Sequence, residues 1–320
     1  MAIEYRLLGR TGVRVSSLCL GCMNFNSRTA EDESIRMIHA ALDAGLNFID
    51  TANVYSNRGN SEITVGKALV GGRRERVILA TKVHGRMGDG PNDLGNHRQH
   101  IFQQIDASLR RLQTDYIDLY QIHRPQEDTP IDETLDALND LVRQGKVRYI
   151  GSSTFPAWQL VESYWVSDRR GFARFICEQP PYHLFDRRIE NEVLPVCRKF
   201  GTAVIPWSPL AGGWLSGKYR RGQPLPTEGR HLKAMENQED RAVARRLDAI
   251  ENLLPLAAEA GASLSQLALA WNMAQPGVTS PIIGPRTMEQ LEDNLKAADI
   301  TLDKATLERI DQICPKGQSV

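Results

Sequence analysis

Eight short apolar runs, each followed by a longer stretch of helical spacing, recur from one end of the chain to the other. The runs lie at 17–21, 47–50, 77–82, 117–123, 147–152, 175–179, 202–207 and 280–284. Helical spacing is found at 31–44, 61–70, 97–112, 131–144, 156–167, 191–200, 240–260, 265–274, 288–298 and 303–313. In the first of these, Ile35, Ile38, Ala41 and Leu42 share one face; in the fourth, Leu135, Leu138, Leu141 and Val142 do. Strict alternation of strand and helix predicts a parallel sheet covered by helices. Eight units predict an α/β fold closed into a (β/α)₈ TIM barrel, with extra helices at the C-terminal end. No G-x-G-x-x-G follows the first run, which speaks against an open dinucleotide-binding sheet. The segments 5–8 and 13–15 flank the turn sequence GRTG and predict a small β-hairpin ahead of the barrel. No shift in composition divides the chain, so 1–320 reads as one domain. The stretch 208–238 is long and rich in Gly, Pro and Arg, as functional lids are.

Charge and cysteine usage narrow the function classes. Lys plus Arg equals Asp plus Glu at 39 each, which leaves no electrostatic footprint for nucleic acid or an anionic membrane. No apolar stretch approaches the about 20 residues that a membrane span needs, and the N-terminus lacks a signal-peptide run. The five cysteines, Cys19, Cys22, Cys177, Cys197 and Cys314, read as reduced thiols of a cytoplasmic protein with no metal site.

Polar residues at the ends of the runs carry the chemistry. Asp50 ends NFID and Tyr55 follows five residues later. Lys82 ends VILATK, and His123 ends IDLYQIH. Taken singly, an Asp or Lys at a strand end is a cap or surface group, Tyr55 a packing aromatic and His123 a hydrogen-bonded core residue. Together they fall where a barrel builds its active site, at the C-terminal ends of strands. Free tyrosine, with a pKa of about 10, is a poor acid–base group at neutral pH. A neighbouring lysine is expected to lower that pKa, and an aspartate to hold the lysine charged. A neutral histidine can donate a hydrogen bond to a substrate oxygen. Tyrosine then gives a proton to an oxygen that gains charge. Carbonyl reduction fits, with hydride from a cofactor, since no side chain supplies one.

At this point the chain resembles the aldo-keto reductase superfamily, in the bacterial oxidoreductase branch that also holds the potassium-channel β-subunits. The likeness is carried by YRLLGRTGVRVSSLCLG, GLNFIDTANVY with NSE after it, LATK, DYIDLYQIHRP, GKVRYIGSST, WSPLAGGWLSGKY and PIIGPRTMEQLEDNL. It implies an NADP(H)-dependent barrel with Asp50, Tyr55, Lys82 and His123 as its tetrad. It implies that Gly21, Cys22 and Met23 lie beside the nicotinamide ribose, that Ser153, Thr154 and Gln179 hold the carboxamide, and that Trp207 stacks on the ring. It puts Ser208, Leu210, Gly212, Lys218 and Arg230 on the pyrophosphate. Gly284, Arg286, Gln290, Asp293 and Asn294 would take the adenosine end. The residues agree there: the helix opened by Thr287 offers backbone N–H groups, and Arg286 can fork onto a phosphate, which favours NADP(H) over NAD(H). Thr154 stands where the family has Asn, Cys22 where it has Thr, and Ser56 where it has Gly. A small-molecule aldehyde or ketone is the expected substrate, with Phe25 as an apolar wall and Arg124 as a polar contact. A cofactor-binding sensor of the channel-subunit type is the second reading. A hydrolase with a metal on Asp50, His123 and His84 is the third, and it lacks HxH or HExxH spacing.

Overall fold

The computed structural model describes residues 3–227 and 229–320. Strands β1 (Tyr5–Leu7) and β2 (Arg14–Ser16) form the antiparallel hairpin. Eight parallel strands follow: β3 (Cys19–Gly21), β4 (Phe48–Asp50), β5 (Ile78–Val83), β6 (Ile117–Ile122), β7 (Val147–Ser153), β8 (Phe175–Gln179), β9 (Ala203–Val204) and β10 (Ile282–Ile283). Their order in the sheet is β10-β3-β4-β5-β6-β7-β8-β9. The two ends meet through backbone bonds, from Thr279 N–H to Val204 O at 2.7 Å and from Ile282 N–H to Pro206 O at 2.8 Å. The sheet therefore closes into a barrel. Strands β9 and β10 are shorter than the apolar runs at 202–207 and 280–284. Pro206 and Pro281 interrupt those runs and have no N–H to donate to the ladder.

Helices α1 (Glu31–Asp43), α2 (Tyr55–Ala68), α3 (Arg98–Leu112), α4 (Ile131–Arg143), α5 (Ala157–Arg170) and α6 (Val193–Phe200) cover the outside in turn. The stretch after β9 is not irregular throughout: it holds a 3₁₀ turn at Ala211–Ser216 and a short helix, α7 (Leu232–Met235). Then come α8 (Arg241–Glu259), α9 (Leu264–Ala274), α10 (Met288–Lys296) and the final α11 (Lys304–Ile313). Among the described residues, no single helix is long and apolar enough to cross a membrane.

Side-chain alternation along each strand, with period two, sets the layers. Leu20, Ile49, Leu79, Tyr120, Ile150 and Val204 point outward and pack beneath the helices in the larger core. Cys19, Phe48, Ala80, Leu119, Cys177, Ala203 and Ile282 form a second core inside the barrel. Leu8 and Val15 join that inner core from the hairpin and its turn. Two residues further along the same inward face stand Gly21, Asp50, Lys82, Gln121, Gln179, Ile205 and Gly284. The inner wall thus changes from apolar to mainly polar within one step toward the strand ends. At β3 only glycine fits this layer: a Cβ on Gly21 would lie 2.5 Å from Ile282 Cγ2 and 3.0 Å from Ile283 O.

Candidate active site

Pairing register brings the predicted quartet together. Asp50 pairs with Ala80, and Lys82, two residues on, pairs with Gln121. Lys82 is fully buried, and its Nζ donates to Asp50 Oδ1 at 2.5 Å, to Thr51 O at 2.9 Å and to Tyr55 Oη at 3.3 Å. All three donors of the ammonium group are used. His123 follows β6, and its ring meets the Tyr55 ring edge to face, with centroids 5.6 Å apart. Tyr55 and His123 keep part of their surface exposed at the mouth, while Asp50 and Lys82 lie behind them.

A left-handed turn places Tyr55. Ser56, Asn57, Arg58 and Gly59 have φ of 53°, 59°, 61° and 116°. Left-handed geometry costs a non-glycine residue roughly 1–2 kcal/mol, so the turn needs external anchors. Ser56 Oγ donates to Phe25 O at 2.5 Å. Ser61 Oγ donates to Cys22 O at 2.8 Å. Glu62, fully buried, accepts from Thr81 Oγ1 at 2.5 Å and from Arg111 Nε at 2.6 Å. The NSE triplet after the tyrosine therefore fastens the turn to the barrel rim. Gly59 lies against Arg111, where a Cβ would come within 2.5 Å of Cδ.

Two glutamines complete the polar layer. Gln121 Nε2 donates to Asp50 Oδ2 at 3.1 Å, and Gln179 Nε2 donates to the same oxygen at 3.0 Å. Gln179 Nε2 also donates to Gln121 Oε1 at 3.1 Å. Gln121 escaped the sequence reading, although its signal was present: it precedes His123 by two on one strand face. Gln179, expected on a carboxamide, here directs its amide hydrogens at Asp50 and Gln121.

Burial decides the protonation states. It drives the His123 pKa down to about 2, helped by the charges of Lys82 and Arg124, so the imidazole is neutral at working pH. For Lys82, burial opposes the charge, but Asp50 and Tyr55 together raise its pKa. For Tyr55 the expectation is reversed. Lys82 does pull its pKa down, but burial is the larger effect and the hydroxyl ends above its usual value. Tyr55 therefore keeps its hydroxyl proton at neutral pH.

Next to the quartet, Ser153 Oγ donates to Gln179 O at 2.8 Å, and Thr154 takes φ of 62°, an outlier for a β-branched residue. Behind them Glu178 is buried on the outer face of β8. It accepts from Ser152 Oγ at 2.5 Å and from Phe155 N–H at 3.1 Å. Burial raises its pKa to about 7. Since the folded pKa exceeds the unfolded one, the neutral form favours folding at low pH, and this contribution fades as pH rises from about 4.5 to about 7. Glu178→Gln should remove that slope. Relative to the native chain, the variant should gain roughly 1–3 kcal/mol between pH 4 and pH 8 in chemical denaturation. A pH-independent difference would show that Glu178 does not titrate in this window.

The remaining residues expected to contact the nucleotide lie at the end of β3 and in the segments after β9 and β10. Gly21 and Cys22 lie at the end of β3, and Cys22 N–H donates to Asp50 O at 2.8 Å. Met23 is exposed. Trp207 follows β9, and its buried Nε1 has no hydrogen-bond partner. Ser208 has φ of 60°, and its Oγ accepts from Gly212 N–H at 3.0 Å in the turn after Leu210. Lys218 Nζ lies 5.2 Å from the Tyr219 ring centre. Gly284 O accepts from Asn24 Nδ2 at 3.0 Å and Arg286 O from Thr29 Oγ1 at 2.9 Å, sewing the loop after β3 to the loop after β10. Gln290 Oε1 accepts from Arg286 N–H, and Asn294 is buried. The Asp293 carboxylate is taken by Ser265 Oγ at 2.5 Å and Gln266 Nε2 at 2.7 Å.

The charged groups at the outer end suit an anionic cofactor. Burial first, then the charges of Arg28 and Arg286, lower the Arg230 pKa, so arginines from three loops act on one another at the outer end. Guanidinium groups suit a phosphate dianion. Arg28 escaped the sequence reading, because only the Thr29–Arg286 link brings it there.

One expected site residue does not belong. Phe25, expected in the substrate wall, is fully buried in the outer core and offers no surface to a ligand. Cys19 and Cys22 have C-x-x-C spacing, which can mark redox or metal sites. Here burial raises both thiols well above their usual range, the reverse of a reactive pair.

Comparison with known proteins agrees with the fold. The family model "Aldo/keto reductase family" matches residues 17–315. The chain belongs to the aldo/keto reductase family. It is 44% identical to an uncharacterized oxidoreductase of Bacillus subtilis (strain 168), over 98% of this chain and 96% of the relative. It is 39% identical to a probable voltage-gated potassium channel subunit beta of Oryza sativa subsp. japonica, over 97% and 95%. It is also 34% identical to the versiconal hemiacetal acetate reductase of Aspergillus parasiticus, over 97% and 96%. As an aldo/keto reductase with oxidoreductase relatives, it is a carbonyl-reducing oxidoreductase in class.

Proposed function

We propose that this aldo/keto reductase reduces an aldehyde or ketone to an alcohol with NADPH, and that Tyr55 is the proton donor. The observation that carries this reading is the Lys82 ammonium group, bonded at once to Asp50 Oδ1 at 2.5 Å and Tyr55 Oη at 3.3 Å. When bound, the reduced nicotinamide supplies hydride to the carbonyl carbon. The chain's own residues do the rest. Neutral His123 donates a hydrogen bond that directs the carbonyl oxygen toward Tyr55. Tyr55 gives its proton to that oxygen as negative charge develops there. Lys82 stabilises the tyrosinate left behind, and Asp50 keeps the lysine charged and aimed. Ser153, Thr154 and Trp207 hold the nicotinamide end, and Arg28, Arg230 and Arg286 hold the 2′-phosphate.

Fluorescence titration with NADPH and NADH, followed by an aldehyde panel at fixed NADPH, tests the reading. Arg286→Leu should weaken NADPH binding by about 10- to 100-fold and NADH binding by less than about threefold, since one charge-assisted phosphate contact is lost. Equal losses for both nucleotides would remove Arg286 from the 2′-phosphate. A second reading, suggested by the channel-subunit relatives, is a cofactor-binding sensor with little turnover. It predicts tight NADPH binding with no product from any carbonyl.

A further inference from the structure

Arg124 follows His123 directly and is held at one nitrogen only. Its Nη1 donates to Thr154 Oγ1 at 2.6 Å and to His123 O at 3.3 Å. The guanidinium carbon stands 5.6 Å from the Trp207 ring centre, so the group is steadied by an aromatic face as well. Among the described residues it forms no ion pair, and Nε and Nη2 make no hydrogen bond. Neither nitrogen is a sealed, unpartnered donor, so this edge of the fork reaches solvent. Glu178, a buried carboxylate on β8, is held instead by Ser152 and Phe155. The Arg124 charge is felt at both Tyr55 and His123.

A guanidinium anchored at Nη1, with its Nε–Nη2 edge open, presents two parallel N–H donors. That edge matches the two oxygens of a carboxylate. Its rotamer is fixed before the ligand arrives, so little conformational entropy remains to be lost. On the reductase reading above, we infer that Arg124 selects carbonyl substrates that carry a carboxylate, gripping it side-on while the carbonyl lies against Tyr55 and His123. The preferred substrates are then oxo-acids, aliphatic or aromatic, rather than neutral aldehydes.

Two acid–ester pairs test this: 4-oxobutanoate and 4-carboxybenzaldehyde, each against its methyl ester. In the native enzyme with NADPH, kcat/KM for each acid should exceed that for its ester by about 10- to 100-fold, the value of a charge-assisted contact. Arg124→Gln should bring the ratio close to one. Arg124→Lys should leave it intermediate, because a point charge lacks the fork. Each ratio compares two substrates on one enzyme, so a general loss through the Thr154 contact cancels. Calorimetric titration of the NADP-bound protein with 4-(hydroxymethyl)benzoate and its methyl ester should show the same preference without turnover. A native ratio at or below one, or an unchanged ratio in Arg124→Gln, would overturn the assignment. No turnover of all four carbonyls would sink the reductase reading instead, and the titration would still decide what Arg124 binds.

Discussion

Tyr55→Phe should lower kcat for carbonyl reduction by about 10²–10⁴-fold while leaving NADPH affinity within about twofold, the range expected for loss of a positioned general acid. The phenyl ring keeps the edge-to-face contact with His123 and leaves the left-handed turn at Ser56–Gly59 in place. Only the hydroxyl hydrogen bonded to Lys82 is removed. Because burial raises the Tyr55 pKa and drives His123 down to about 2, neither group should titrate between about pH 5 and pH 9. A limb of the pH–rate profile in that window should therefore survive His123→Gln. Single-turnover kinetics with saturating NADPH gives the decisive number. Native-like turnover in Tyr55→Phe would refute the proton-donor role.

Lys82→Met should destabilise the protein by about 3–5 kcal/mol and abolish measurable reduction, because it strands a buried carboxylate. Asp50 would keep Gln121 and Gln179 on Oδ2 but lose the cation on Oδ1. The ion pair is almost wholly removed from water, with side-chain exposures of 0% and 3%. Breaking one partner is therefore expected to cost more than replacing both. The Asp50→Asn/Lys82→Met double variant should be more stable than Lys82→Met alone, a non-additive result readable in urea denaturation. Additive losses would show that the two charges do not compensate each other.

The quartet was legible because each member ends an apolar run or lies one turn past it, and strand ends in a barrel share one mouth. The helices were legible from periodicity, with boundaries differing by one or two residues at most ends. What failed to show has physical reasons. Phe25 looked like a pocket residue because it lies close to the site in sequence. Its loop folds inward instead, and its carbonyl becomes an anchor for Ser56. Arg28 drew no notice, because no local pattern predicts that Thr29 bonds to Arg286, 257 residues away. The C-x-x-C spacing of Cys19 and Cys22 carries no redox meaning on a buried strand.

By itself the sequence determined the eightfold alternation, the inward period-two stripe and the chemical identity of Asp50, Tyr55, Lys82 and His123. These follow from covalent order and local periodicity, which need no partner elsewhere in the chain. Tertiary structure decided the protonation of Tyr55, the open edge of Arg124 and the mutual effect of Arg28, Arg230 and Arg286. Each of those depends on how far a group is taken out of water and on which distant charge it meets. Burial and long-range pairing exist only once the barrel has closed.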